Sequence, residues 1–219
     1  MIPLRDVIPS RTTPYITVTI IVLNAIAWLF ELGLPRDVLP AFLQVYGVVP
    51  AYFSPPTLVT SMFLHGSWMH VIGNMWYLWI FGDNVEDRVG HGRFIVFYLI
   101  CGMTAAFGQI LMDPTSTLPT IGASGAIAGV MGAYFVLYPQ SRVLTLIPLI
   151  IFWEIVELPA IFLLGFWFLM QLFSAGAIAV TSSSHGGGVA FAAHVSGFLC
   201  GVCGVFVFRK RQEPDTWWA

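Results

Sequence analysis

Six apolar segments recur along the chain, separated by shorter stretches that hold most of the charged and turn-forming residues. They cover roughly residues 15–32, 66–82, 94–112, 124–138, 158–176 and 189–208. Most approach the ~20 residues that a helix needs to cross the hydrocarbon core of a bilayer. The fourth is shorter, because Thr115–Pro119 precedes it and Pro139 follows it. The pattern predicts an all-α, polytopic membrane protein that folds as one bundle of six transmembrane helices.

One further apolar stretch, Leu144–Trp153, lies between the fourth and fifth segments and is followed by Glu154 and Glu157. Carboxylates are unfavourable inside a bilayer. Their position therefore favours a segment that lies at the membrane interface. A lengthened fifth span is the other interpretation of this stretch.

The composition agrees with a membrane protein. Hydrophobic residues make up 58% of the chain and charged residues 9%, and the mean hydropathy is +0.83, well above a soluble domain. The formal net charge of −2 argues against a nucleic-acid partner. The N-terminus lacks the features of a cleavable signal peptide, so the first segment is expected to be retained as a span. The cysteines lie within apolar segments, which predicts packing roles and no disulfide framework: Cys101, Cys200 and Cys203.

The positive charges are distributed unequally between the loops. If the N-terminus is cytoplasmic, Arg36 lies outside and the remaining basic residues lie inside: Arg5, Arg11, Arg88, Arg93, Arg142, Arg209, Lys210 and Arg211. The positive-inside rule then predicts cytoplasmic N- and C-termini. The expected organisation is a cytoplasmic segment at 1–14, a six-helix transmembrane domain at 15–208 and a cytoplasmic basic tail at 209–219. A bacterial inner membrane is the expected location.

Four polar side chains fall at similar depth in the outer half of this bundle: His70, Asn74, Ser124 and His194. Polar groups at such depth are functional candidates, because they are costly unless they face the bundle interior or water. His70 and Asn74 are four residues apart and share a helix face. His65 lies about 140° from His70 on an ideal helix. It is expected to point elsewhere or to lie in the preceding loop.

Small residues mark the fourth and sixth spans as packing partners. On span four, Gly125 and Gly129 are spaced by four residues, as are Ala128 and Gly132. On span six, Gly197 and Gly201 fall on one stripe with the histidine. Such pairs let two transmembrane backbones approach closely. The contact would bring the serine that opens span four within reach of the histidine of span six.

A serine beside a histidine is suited to nucleophilic acyl transfer. A neutral imidazole can take the hydroxyl proton near pH 7 and so activate a poor nucleophile. Asp113 is the acidic residue nearest to the serine motif, and none lies near His194 in sequence or depth. A Ser124–His194 dyad is therefore predicted, with His70, Asn74 and the backbone N–H of Ser124 as candidate donors to the developing oxyanion.

Three motifs at these positions resemble the rhomboid family of intramembrane serine proteases: 65-HGSWMHVIGN-74, 122-GASG-125 and 193-AHVSG-197. Weaker similarity extends over 82-GDNVEDRVG-90 and 165-GFWFLMQLF-173. The resemblance implies a six-helix bundle and assigns each candidate a role. These are a nucleophile (Ser124), a general base (His194), oxyanion donors (His70 and Asn74) and supporting residues (His65, Gly122, Gly125 and Gly197).

The resemblance also implies that a transmembrane substrate enters sideways near spans two and five. No metal or organic cofactor is expected. The chain departs from the family pattern in two places. Many members carry a tyrosine that stacks on the histidine where this chain has Ala128, and the loop before His65 lacks a Trp-Arg pair found in some members.

Other interpretations remain open at this point. Taken singly, Ser124 would be a cap or packing residue and His194 a hydrogen-bonded structural histidine. A catalytically silent rhomboid-like protein that binds membrane clients would usually lack one member of the dyad. A metal enzyme or transporter using His65, His70 and His194 would lack the usual carboxylate or cysteine partners. The favoured interpretation is an intramembrane serine endopeptidase that acts on transmembrane proteins within the lipid bilayer.

Overall fold

The computed structural model describes residues 1–148, 153–181 and 190–210. These residues contain eight α-helices and three β-strands. The helices are α1 (Tyr15–Gly33), α2 (Leu39–Tyr46), α3 (Thr57–Thr60), α4 (Trp68–Val89), α5 (His91–Met112), α6 (Ser124–Leu137), α7 (Ala160–Thr181) and α8 (Phe191–Phe208). The strands are β1 (Ile2–Asp6), β2 (Arg142–Pro148) and β3 (Trp153–Pro159).

Long helices form where the hydropathy pattern predicts them. Within the described ranges, four helices are long and apolar enough to cross a membrane: α1, α5, α7 over Ala160–Ala177, and α8. α6 is apolar but has only 14 residues. α4 has 22 residues and continues to Val89, so that the charged sequence 83-DNVEDR-88 forms its last turns. The prediction of a helical membrane bundle is confirmed.

α6 lies at the centre of the bundle, and every residue from Gly125 to Tyr134 is buried. It packs against α8 and α5. A Cβ atom added at Gly201 would collide with the backbone of Gly129, and one added at Gly197 would collide with the carbonyl of Gly125. α6 and α8 therefore meet backbone to backbone, as their small residues predict.

A three-stranded antiparallel sheet, in the order β1-β2-β3, joins the N-terminal segment to the connection between α6 and α7. In its register, Asp6 lies opposite Val143, and Pro148 lies opposite Trp153. The sheet is an addition that the hydropathy pattern did not predict. The interpretation of Leu144–Trp153 as a lengthened fifth span is wrong for its described residues. Residues 149–152 lie outside the described ranges.

Side-chain shape explains why this stretch forms strands. Val143, Thr145 and Ile147 are β-branched residues at alternate positions, a pattern that favours a strand. Val143 and Thr145 are completely buried. A helix through the stretch would have carried Glu154 and Glu157 into the apolar layer, whereas β3 leaves both exposed. Hydropathy alone does not distinguish these two outcomes.

The N-terminal segment is attached to the charged end of α4. The buried carboxylate of Glu86 accepts hydrogen bonds from the backbone N–H groups of Ile16 at 3.0 Å and Thr17 at 2.8 Å, two of the donors left unpaired at the start of α1. The Tyr134 hydroxyl donates to Asp6 at 2.7 Å. Burial raises the pKa of Asp6 from 3.8 to about 6.

The two ends of the described chain lie on the same side of the bundle. The Lys210 backbone N–H donates to the carbonyl of Arg88 at 2.9 Å. Arg88 lies two residues after Glu86, which binds the start of α1. The guanidinium of Arg209 lies 5.1 Å from the centre of the Phe206 ring. Most of the predicted basic tail, residues 211–219, lies outside the described ranges.

Candidate active site

Ser124 and His194 meet where α6 and α8 begin. The distance between Ser124 Oγ and His194 Nε2 is 2.8 Å. Ser124 is the first residue of α6, and His194 lies in the first turn of α8. His194 is 8% exposed, so the pair is largely shielded by protein. Two residues that are 70 positions apart in sequence thus share one hydrogen bond.

The other nitrogen of His194 has a partner that the sequence analysis missed. His194 Nδ1 lies 2.8 Å from Oε1 of Gln171, which is on α7. An amide oxygen can only accept a hydrogen bond, so Nδ1 carries the imidazole proton. Nε2 is then left with a free lone pair, and the Ser124 hydroxyl donates to it. This is the tautomer that a general base requires.

A sequence signal for this contact existed. Gln171 is the only side-chain amide in the apolar run 165-GFWFLMQLF-173, and polar groups inside a span need an internal partner. The pattern does not reveal which helix supplies that partner.

An aromatic ring from α7 lies against the histidine. The centre of the Trp167 ring is 5.7 Å from that of His194, with an angle of 36° between the ring planes. Ala128, where many family members carry a stacking tyrosine, is completely buried within α6. In this chain the aromatic contact to the histidine comes from a different helix.

His70 and Asn74 lie beside the backbone that leads into Ser124. A Cβ atom added at Gly122 would be 2.6 Å from His70 Nε2 and 3.6 Å from Asn74 Nδ2. The Gly66 backbone N–H donates to His70 Nδ1 at 3.4 Å, which leaves the proton of a neutral ring on Nε2. Two side-chain donors therefore converge next to the serine. Because Ser124 opens α6, its backbone N–H lacks an intrahelical partner and adds a third.

His65 lies in the loop before α4, as one of the two expectations had it, but its ring does not point away from the site. It is 1% exposed, and its ring centre is 5.0 Å from that of His70. The Asn74 amide donates to His65 Nε2 at 3.0 Å. The contact fixes the orientation of the Asn74 amide.

A buried carboxylate holds the loop that carries His65. Glu31, near the end of α1, is 2% exposed. Its two carboxylate oxygens lie 3.2 and 3.3 Å from the backbone N–H of His65. The sequence signal was a single acidic residue near the end of the first apolar segment. Hydropathy gives no indication of where such a residue points.

A cleft opens beside Ser124 and is bordered mainly by small side chains. Its walls are formed by α5, α6, the start of α8, the loop before α6, and Val48, Ser61 and Met62 from the segments before α4. The small residues that line it are Gly102, Ala105, Ala106, Gly122, Gly125, Ala126, Ala190 and Ala193. The cleft can take a narrow apolar group next to the serine hydroxyl.

The Rhomboid domain family profile matches residues 54–211 of this chain. The match covers α3 to α8 and includes every candidate residue described above except Glu31. The chain belongs to the rhomboid family.

Several rhomboid relatives align over much of the chain. Rhomboid-like protein 11 from Arabidopsis thaliana chloroplasts is 29% identical over 201 residues, covering 85% of this chain and 66% of that protein. RHOMBOID-like protein 6 from Arabidopsis thaliana mitochondria is 30% identical over 161 residues, covering 74% and 45%. Rhomboid protease GluP from Bacillus subtilis is 36% identical over 85 residues, covering 39% and 16%. The chain thus spans about two thirds of the first relative and less than half of the other two.

Family membership and the apolar helices establish an integral, multi-pass membrane protein. The relatives come from a chloroplast, a mitochondrion and a bacterium. They do not support the expected bacterial inner membrane over an organellar one. As for metal ligands, no group of three or more His, Cys, Asp or Glu side chains that could hold an ion occurs in the described part of this rhomboid.

Proposed function

We propose that this rhomboid is an intramembrane serine endopeptidase that cleaves transmembrane or membrane-proximal segments of membrane proteins. The observation that carries the proposal is the 2.8 Å contact between Ser124 Oγ and His194 Nε2, together with the acceptor Gln171 Oε1 at 2.8 Å from His194 Nδ1. An activated serine requires a base in this tautomer. The bacterial relative named a rhomboid protease is consistent with the same chemistry.

The proposed reaction uses only side chains of this chain. The Ser124 hydroxyl proton passes to His194 Nε2 as Oγ attacks the carbonyl carbon of the scissile peptide bond. The negative charge on the carbonyl oxygen is stabilised by His70, Asn74 and the Ser124 backbone N–H. His194 then returns the proton to the leaving amine, which departs and leaves an acyl ester on Ser124.

Hydrolysis of the ester follows the same path with water in place of the serine. His194 takes a proton from a water molecule, the resulting hydroxide attacks the ester carbonyl, and the proton returns to Ser124 Oγ as the acid product leaves. The small residues that line the cleft favour substrates with a narrow side chain next to the scissile bond. A transmembrane segment would have to expose an extended stretch of backbone at this depth to be cut.

We also propose the orientation that the basic residues predict, with both termini on the cytoplasmic side and the bundle at 15–208 carrying the reaction. The contacts of Glu86 and Lys210 at one end of the molecule support this arrangement. Protease protection of an N-terminal epitope tag in sealed vesicles of known orientation tests it. Fractionation of the native membranes tests the bacterial inner membrane as the location.

Labelling with a fluorescent fluorophosphonate tests the catalytic proposal, because this probe acylates activated serines. Detergent-solubilised wild type should be labelled, whereas Ser124→Ala and His194→Ala should not. Ser196→Ala is the matched control, since Ser196 lies on α8 near His194 but faces Gly108. Wild type and Ser196→Ala should also cleave a transmembrane reporter, whereas Ser124→Ala and His194→Ala should not. Asn74→Ala should lower the kcat of that cleavage by about 10²–10³-fold.

A folded wild type that is not labelled, or a Ser124→Ala variant that still cleaves, would overturn the proposal. The first result would favour a rhomboid-like protein that binds membrane clients without cutting them.

A further inference from the structure

Besides its contact with Ser124, the imidazole of His194 makes two contacts with α7. Gln171 Oε1 accepts the proton of Nδ1 at 2.8 Å, and the Trp167 ring lies 5.7 Å away, centre to centre. The two residues are four positions apart, so they share one face of the helix. Their neighbour on the same face, Phe168, stacks on Phe198 of α8 at 4.7 Å.

The position of the histidine backbone has a different origin. α8 is held against α6 at Gly197 and Gly201, where no side chain intervenes. Among the described residues, the nearest atoms to a Cβ at either glycine come from α5 and α6. α7 exposes large side chains outward, with Phe162 and Phe173 each 71% exposed. The distance between α6 and α8 is thus set by glycines, whereas the tautomer and orientation of the His194 imidazole depend on α7.

A neutral imidazole has two tautomers, and only the one with its proton on Nδ1 leaves Nε2 free to accept from serine. An acceptor at Nδ1 selects that tautomer. In this chain the acceptor is an uncharged amide, which can hold the tautomer inside an apolar layer without the desolvation cost of a carboxylate.

We propose that Gln171 is a positioning residue of the active site, which fixes His194 in the Nδ1-protonated tautomer and orients it toward Ser124. The catalytic consequence of this contact rests on the proposed protease function. The effect of Gln171 on the His194 tautomer is a property of the folded chain and does not depend on turnover. Trp167 supports the same ring from one side.

Selective ¹⁵N labelling of histidine and NMR of the solubilised protein test the tautomer directly. The His194 resonances are assigned by their loss in His194→Ala. Wild type should show a protonated Nδ1 and an unprotonated Nε2. Gln171→Met, which keeps the length of the side chain but removes the amide, should lose this preference, whereas Gln171→Glu should retain it. Ser174→Ala is the control on the same helix, because its hydroxyl donates to Met170 O within α7.

Reporter cleavage then measures the catalytic consequence. Gln171→Met should lower kcat by on the order of 10²-fold with little change in KM, because the base is misaligned. Gln171→Glu should recover most of that loss, and Ser174→Ala should stay within about twofold of wild type. A Gln171→Met protein that keeps the wild-type tautomer and rate would overturn the proposal. If Gln171→Met does not fold, the wild-type tautomer remains a test, because a wild-type His194 protonated at Nε2 would also overturn the proposal. This result does not depend on the outcome of the fluorophosphonate labelling.

Discussion

Gly122 shows how strongly a single residue can constrain the backbone beside His70 and Asn74. Its φ angle of +123° lies in the region that favours glycine. Its N–H donates to Ser61 O at 2.8 Å, which ties the loop before α6 to the segment before α4. The backbone at Gly122 passes so close to these side chains that an added Cβ would lie 2.6 Å from His70 Nε2 and 3.6 Å from Asn74 Nδ2.

Gly122→Ala should therefore abolish or severely reduce activity. The added Cβ would sit 2.6 Å from His70 Nε2, and the positive φ would be strained. We expect reporter cleavage to fall by at least the 10²–10³-fold typical of a lost oxyanion donor. Gly73→Ala on α4 is the matched control, since a Cβ there meets no atom within 4 Å. Equal cleavage rates for the two variants would contradict the assignment of His70 as an oxyanion donor.

At the scale of elements, the contact between α6 and α8 sets the distance between Ser124 and His194. Gly197 and Gly201 face the backbone of Gly125 and Gly129. A backbone contact cannot be relieved by rotating a side chain, so any added atom must move a helix. The same glycines that let the helices pack closely thus determine the 2.8 Å separation of Ser124 and His194.

We expect Gly201→Ala to be destabilising and to weaken the activity together. Overpacking of a tight core contact typically costs about 1–3 kcal/mol, and the displaced α8 would carry His194 away from Ser124. Thermal unfolding in detergent and fluorophosphonate labelling measure the two effects. Gly176→Ala on α7, where a Cβ has open space, should change neither. If Gly201→Ala folds normally and is labelled as strongly as wild type, the distance between Ser124 and His194 does not depend on this contact.

At the scale of the whole molecule, Asp6 at the end of β1 links the N-terminal segment to α4 and α6. Asp6 accepts a hydrogen bond from Asn84 of α4 at 2.8 Å as well as the one from Tyr134 of α6. Its pKa is raised to about 6 chiefly by burial and, to a lesser degree, by the nearby Asp83. The carboxylate therefore ionises less readily in the folded protein than in the unfolded chain.

The sign of the resulting pH dependence follows from proton binding. Between about pH 4 and pH 6 the folded state holds more protons on Asp6 than the unfolded state does, so stability falls as the pH rises through this window and is level above it. Asp6→Asn keeps an oxygen that can accept both hydrogen bonds but does not titrate. As the pH rises from 4 to 6, the unfolding temperature of wild type should therefore fall relative to that of Asp6→Asn. A difference that is constant with pH would contradict the raised pKa.

The sequence alone predicted which segments form apolar helices and which polar residues lie at similar depth among them. Hydropathy and the spacing of prolines and charges are local properties, so they defined the long helices to within a few residues for most spans, although α4 runs on to Val89. They also placed His70, Asn74, Ser124 and His194 in one layer. The glycine spacing identified α6 and α8 as neighbours, because close backbone approach requires small residues on both helices.

Only the tertiary structure decided which faces meet. Gln171 and Trp167 reach His194, and Glu31 reaches the loop of His65, because helices far apart in sequence pack side by side. A lone polar residue in an apolar segment indicates that a partner exists but does not say which one. The pairing of β1 with β2 was hidden for the same reason. Strand pairing depends on a segment more than a hundred residues away, whereas hydropathy reports only how apolar each segment is.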